Sequence, residues 1–149
     1  MTLSMRTIVR PAPGPVNGPV SDPVSEPVVD VARVVGPLVC AVGAGVHAGL
    51  VTAHLRESTL LGVLFAVDAV LLGLAALAIS DRHARTVHHA GAAAVLVGTA
   101  LAYLLSRTTG LPGVTSEPEP VDVLGLLTTV SELAGAAACL LVILRRNHR

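Results

Sequence analysis

The 149-residue chain contains no Lys and no Trp, one Phe and one Tyr, and only 13% charged residues. A soluble domain carries about 25% charged residues, so the deficit points to a surface built to face lipid. Every basic residue other than His is an Arg, and the Arg residues sit in short clusters between apolar runs. With no aromatic platform beside them, they exclude a nucleic-acid-binding surface. The scarcity of aromatics also removes the interfacial belt common in membrane proteins, leaving Ala, Gly, Val and Leu to do the packing. The two Cys, Cys40 and Cys139, lie inside apolar runs and form no CxxC pair. That speaks against a thiol–disulfide oxidoreductase of the four-helix quinone-linked kind.

What is present begins with a tail. Pro15-Val16, Pro19-Val20, Pro23-Val24 and Pro27-Val28 form a Pro-Val-x-x repeat. Recurrent Pro opposes helix and favours extended polyproline II. Residues 1–30 are therefore expected to be a disordered Pro-Val-rich linker with no core to bury, or else a docking segment for a proline-recognising partner. Arg6 and Arg10 lead into Pro residues, so the pattern is not that of a signal peptide.

Four apolar runs follow, at about 34–53, 60–79, 87–106 and 123–144. About 20 residues at 1.5 Å rise cross a ~30 Å hydrocarbon core, and within lipid only helices satisfy their own backbone here. The expected fold is all-α: an antiparallel four-helix transmembrane bundle over residues 31–149 of a multi-pass plasma-membrane protein. With the N-terminus inside, the inner side holds Arg6, Arg10, Arg33, Arg82, Arg85, Arg145, Arg146 and Arg149, and the outer side only Arg56 and Arg107. The bias predicts cytoplasmic termini.

Two stripes run along the first helix. Ala41, Gly45, Gly49 and Ala53 recur every fourth residue, a pattern expected to let a neighbouring helix approach closely. Cys40, His47 and His54, spaced by seven, share another face, within about 40° at 100° per residue. In the fourth helix Glu132 and Cys139 are also seven apart. Depth sharpens this. At 1.5 Å per residue, His47 lies about 9 Å below the outer end, Asp68 about 12 Å and Glu132 about 13 to 14 Å, with Gly98 and Thr99 of the third helix in the same layer. Cys40 and Cys139 share a deeper layer, which pairs the first helix with the fourth.

An unpaired charge in lipid costs at least ~2.5 kcal/mol, so Asp68 and Glu132 are expected to turn inward and find partners. On a structural reading, His47, Asp68, Glu132 and Thr99 make interhelical hydrogen bonds that specify the bundle, with one or both acids protonated. On a functional reading, His47, Asp68 and Glu132 form a proton or cation site reached from outside, with His54, Glu57 and Arg107 at its mouth. His54 and Glu57, three apart, suit one ion but are only two ligands. His47 and His54 are about 10.5 Å apart along the axis and cannot share a mononuclear metal. His47 also has no partner at its depth for bis-His haem. His83, His88 and His89, with Arg82 and Arg85, are expected at the inner headgroups, the Arg pair facing anionic lipid. Arg107 is expected to snorkel at the boundary or to pair with Glu57 or with the acidic loop of Glu117, Glu119 and Asp122.

His47, His54 and Glu57, then Gly62 and Phe65, the run Ser-Arg-Thr-x-Gly-Leu-Pro from Ser106 to Pro112, and Glu132 in the last helix resemble a group of small four-helix integral membrane proteins of actinobacteria. The resemblance covers roughly Leu38 to Leu144. It implies the fold and topology and assigns no activity. The Lys-free, Ala-rich composition fits a high-GC genome, although this chain is poorer in aromatics than the group. No nucleophile–base set, phosphate loop or redox motif is present, so no enzyme is expected. The leading functional expectation is a membrane accessory or interaction protein with a polar intramembrane cluster open to the outer face, and with a membrane-protein partner or a homo-oligomer. The runner-up is a small transporter or sensor of a proton or metal cation, a divalent metal being the one cofactor left open.

Overall fold

A computed structural model describes residues 25–115 and 117–148. These residues form four helices and, among the described residues, no strand: α1 Ser25–Glu57, α2 Thr59–Ser80, α3 Thr86–Thr108 and α4 Val123–Asn147. All four are long and apolar enough to cross a membrane. The first three units of the Pro-Val repeat, at Pro15, Pro19 and Pro23, lie outside the described residues, as do Arg6, Arg10 and Arg149 of the charge asymmetry.

The first helix begins at Ser25, nine residues before the expected Val34 and inside the segment assigned to the tail. Pro27 is compatible with this start because it falls in the first turn, where a backbone N–H has no intrahelical acceptor. The added turns have something to bury. Val29 and Ala32 are 7% and 6% exposed, and Ala32 clusters with Ala138 and Val142 of α4. The fourth unit of the repeat therefore belongs to the helix and not to a linker.

The helices form a ring in which α1 meets α2 and α4, α3 meets α2 and α4, and α1 scarcely touches α3. Contacts between α1 and α2 run in opposite sequence order: Gly36 lies beside Ile79, Gly43 beside Leu72, His47 beside Asp68 and His54 beside Phe65. The α1–α2 connection is Ser58 alone, whose hydroxyl accepts from the Leu61 N–H at 3.5 Å. So tight a corner requires Gly62: a Cβ there would fall 2.3 Å from Leu55 Cγ and 2.8 Å from the Leu55 backbone nitrogen.

One half of the bundle, towards the 81–85 turn, is dry. Cys40, Leu72, Ala76, Ile79, Ala92, Ala93, Leu96, Ala136 and Cys139 make one buried cluster, with both thiols free. The helices meet closely because the contacts are small. A Cβ on Gly135 would lie 2.8 Å from Val39 Cγ1, so α1 crosses α4 at a glycine, as close packing within lipid favours. At this end the Arg146 guanidinium donates to the Ala84 carbonyl. In the turn the His83 backbone N–H donates to Asp81 at 2.8 Å. That bond, and the nearby imidazole of His83, hold the exposed Asp81 carboxyl below its usual range.

Two expectations about faces are corrected. Ala41, Gly45, Gly49 and Ala53 are exposed, and a Cβ on Gly45 or Gly49 would meet nothing within 4 Å. The bundle instead uses Gly36, Cys40, Gly43 and His47, all buried, because this is the face whose His47 must be kept from lipid. His89, expected to face the headgroups, is instead buried within the bundle. It is 5% exposed, with Nδ1 3.3 Å from the Arg85 carbonyl oxygen.

A candidate polar cavity

The other half of the bundle, towards Ser58 and the 109–122 loop, holds a cavity of about 530 Å³. His47, Asp68 and Glu132 all line it, together with His54 and Arg107. Thus α1, α2 and α4 each deliver one buried or half-buried ionisable group, and α3 adds Thr99.

His47 fixes its own tautomer. Its Nδ1 lies 2.9 Å from the Gly43 carbonyl oxygen; a carbonyl only accepts, so Nδ1 carries hydrogen. Its Nε2 lies 3.2 Å from Asp68 Oδ2. Without a further proton, a bare ring nitrogen would face a carboxylate, two acceptors in contact. One proton must therefore sit between them, either on Nε2 facing a carboxylate or on Asp68 facing a neutral ring. Both arrangements leave the pair with no net charge, which suits a group withdrawn from water. The Thr99 hydroxyl lies 3.1 Å from both Asp68 oxygens and 3.0 Å from the Val95 carbonyl oxygen, so α2 and α3 are tied here.

Glu132 is different. It is 1% exposed, and its Oε1 has no hydrogen-bond partner among the described residues. It lines the same cavity but is not bonded to the His47–Asp68 pair. A buried polar atom without a partner costs roughly 1–3 kcal/mol, and α4 supplies nothing to offset it: the Thr128 and Thr129 hydroxyls, also on the cavity wall, donate to the Leu124 and Gly125 carbonyls of their own helix at 2.8 Å.

At the mouth, Arg107 pairs with Glu119 at 2.7 Å and Asp122 at 2.9 Å, and its guanidinium lies 4.7 Å from the Tyr103 ring centre. Of the partners considered for Arg107, the structure brings up the acidic loop and not Glu57. Glu57 pairs with His54 at 3.1 Å and does not line the cavity. Phe65 packs on both imidazoles, 4.0 Å from His54 and 5.2 Å from His47 between ring centres, filling the gap that two helical turns leave between them.

Several of these groups escaped the helical periodicities. Phe65 and Tyr103 could have been flagged by their rarity, as the chain's sole aromatic residues. Glu119 and Asp122 lie 12 and 15 residues from Arg107 across a loop, and no spacing rule reaches that far. Among the described residues, no three His, Cys, Asp or Glu side chains gather as a metal centre would need. Comparisons with protein families, with curated proteins and with solved structures found no match to this chain.

Proposed function

We propose that the chain is a multi-pass plasma-membrane protein and not an enzyme. It is an antiparallel four-helix transmembrane bundle with both termini cytoplasmic, akin to the small actinobacterial membrane proteins it resembles. Its cavity opens outward and takes up a proton, as in a small transporter or sensor. The observation that carries this reading is the His47–Asp68 pair. It shares one proton, is locked in tautomer by the Gly43 carbonyl, and lines a cavity with room for water. Two ligands do not make a metal centre, so the proton version is better supported than the metal version.

The test is infrared difference spectroscopy of the full chain in bilayers during pH jumps. The wild type should show a carboxyl band that responds to external pH, and Asp68→Asn should lose it while remaining folded. A spectrum without any responding carboxyl band at accessible pH would overturn the reading.

One observation favours a second reading, an interaction protein. The Ala41–Gly45–Gly49–Ala53 stripe is left uncovered by the other three helices and suits close approach of a helix from a second copy or another membrane protein. Gly45→Leu should then change the oligomeric state in bilayers without unfolding the chain. An unchanged state would remove this reading.

A further inference from the structure

We infer that the cavity is a binding site for an amphiphilic organic monocation, an apolar body bearing one protonated amine, with Glu132 as its anchor. The inference rests on the reading of the cavity as an outward-opening site, but it uses a different residue from the proton pair.

Three observations converge. First, size: about 530 Å³ far exceeds what a proton or bare metal ion needs and falls among small-molecule pockets. Second, the walls. Leu50, Leu61, Leu64, Phe65, Leu71 and Leu124 line the space, so the occupant must present apolar surface. Leu64 and Leu71 are each 44% exposed, which opens the cavity sideways onto the surface that lipid covers and gives a lipophilic ligand a lateral route. Third, the unmet valence. His47 and Asp68 satisfy each other with Gly43 and Thr99. Arg107 is held by Glu119 and Asp122 through its two terminal nitrogens and leaves only Nε, a donor that a protonated amine cannot satisfy, without a partner among the described residues. Glu132 alone is buried with an oxygen that nothing among the described residues satisfies.

An ionised carboxylate only accepts hydrogen bonds. Its missing partner must therefore be an N–H or O–H donor, and a positive charge on an N–H donor makes the bond stronger than a neutral hydroxyl does. One free carboxylate matches one charge. A quaternary ammonium, which has no N–H, would leave Oε1 unsatisfied.

The test uses the full chain in nanodiscs and radiolabelled phenylbutylamine, with empty discs subtracted to remove partitioning. Phenylbutanol and phenylbutyltrimethylammonium serve as competitors. Saturable amine binding is expected, with both competitors at least about tenfold weaker, the ratio that loss of one charged hydrogen bond produces. Glu132→Gln should weaken amine binding by a similar factor. Equal competition by the alcohol would mean that the cavity merely accepts apolar matter, acyl chains included, and would overturn the inference. So would equal binding by the quaternary analogue, or amine binding indifferent to Glu132→Gln. Should that variant fail to fold, Leu50→Trp keeps Glu132 and fills the cavity; undiminished amine binding there would place the amine elsewhere. A wild type that binds no amine but keeps its pH-responsive carboxyl band would overturn this inference and leave the proton reading intact. Amine binding without that band would do the reverse.

Discussion

Asp68→Asn and Asp68→Leu separate the two ways in which the His47–Asp68 proton can be held. With His47 Nδ1–H committed to the Gly43 carbonyl at 2.9 Å, a neutral ring offers Nε2 as an acceptor. An Asn at position 68 can then donate its amide N–H to Nε2 and accept from Thr99 through its carbonyl, so both bonds survive. Leu loses both. Interhelical hydrogen bonds in membranes average about 0.6 kcal/mol and reach about 1.7, so Leu should destabilise by about 1 to 3 kcal/mol and Asn by less than about 0.5 kcal/mol. Steric-trapping or thermal unfolding in bicelles would measure both. If Asn costs as much as Leu, the pair is an imidazolium–carboxylate that depends on charge, and the neutral-ring account is refuted. The imidazolium version predicts a further difference: adding His47→Asn to Asp68→Asn should recover much of the loss, since it removes the uncompensated charge.

Other outcomes follow from the same geometry. Cysteine placed at Glu117 should react with an impermeant thiol reagent in intact cells, and cysteine at Asn147 should not; the reverse pattern would invert the proposed orientation. Gly135→Leu must displace Val39, which lies 2.8 Å from where a Cβ would stand. It should cost about 1–3 kcal/mol by overpacking, whereas Gly45→Leu, with nothing within 4 Å, should leave unfolding of the isolated chain unchanged. At the 81–85 turn the depressed Asp81 carboxyl is held by the His83 N–H. A depressed acid contributes above its unfolded pKa of about 3.9 and loses that contribution as pH falls through its lower folded value. Amide exchange at His83 should therefore quicken only in strong acid, and Asp81→Ala should abolish that pH dependence.

The four helices were legible because lipid leaves a chain few options: twenty apolar residues without a satisfied backbone cannot cross it except as helix. The depth argument rests on the same ground. A fixed rise of 1.5 Å per residue assigns His47, Asp68 and Glu132 to one level whatever their neighbours do, and all three line one cavity. Faces were harder. Small residues allow close approach without compelling it, so Ala41–Gly45–Gly49–Ala53 looked like an interface, while the need to bury His47 chose the opposite face. The start of α1 was misjudged because Pro27 was weighed as a helix breaker, without knowing that Ala32 had Ala138 and Val142 of α4 to pack against. The acidic loop was legible as one possible partner of Arg107, but not the choice of Glu119 and Asp122 over Glu57, since these groups meet only after the loop has folded.

The packing also indicates how the cavity could change shape. The α1–α2, α3–α4 and α1–α4 pairs are each more extensively packed than α2 and α3, and both α2 and α3 line the cavity. Among the described residues, the side-chain hydrogen bonding across the seam between α2 and α3 is that of Thr99 with Asp68. Thr99→Val keeps the β-branched shape and removes only the hydroxyl. The bonds within each pair are untouched, so global stability should fall by no more than about 1 kcal/mol. The seam should nevertheless loosen. Spin labels at Val67 on α2 and Ala102 on α3 should show a broader or longer distance distribution in the variant, whereas labels at Val63 on α2 and Val51 on α1 should not change. A variant whose α2–α3 distribution matches wild type would show that apolar packing, and not this hydroxyl, holds α2 against α3, and that the α2–α3 seam is not where the cavity opens.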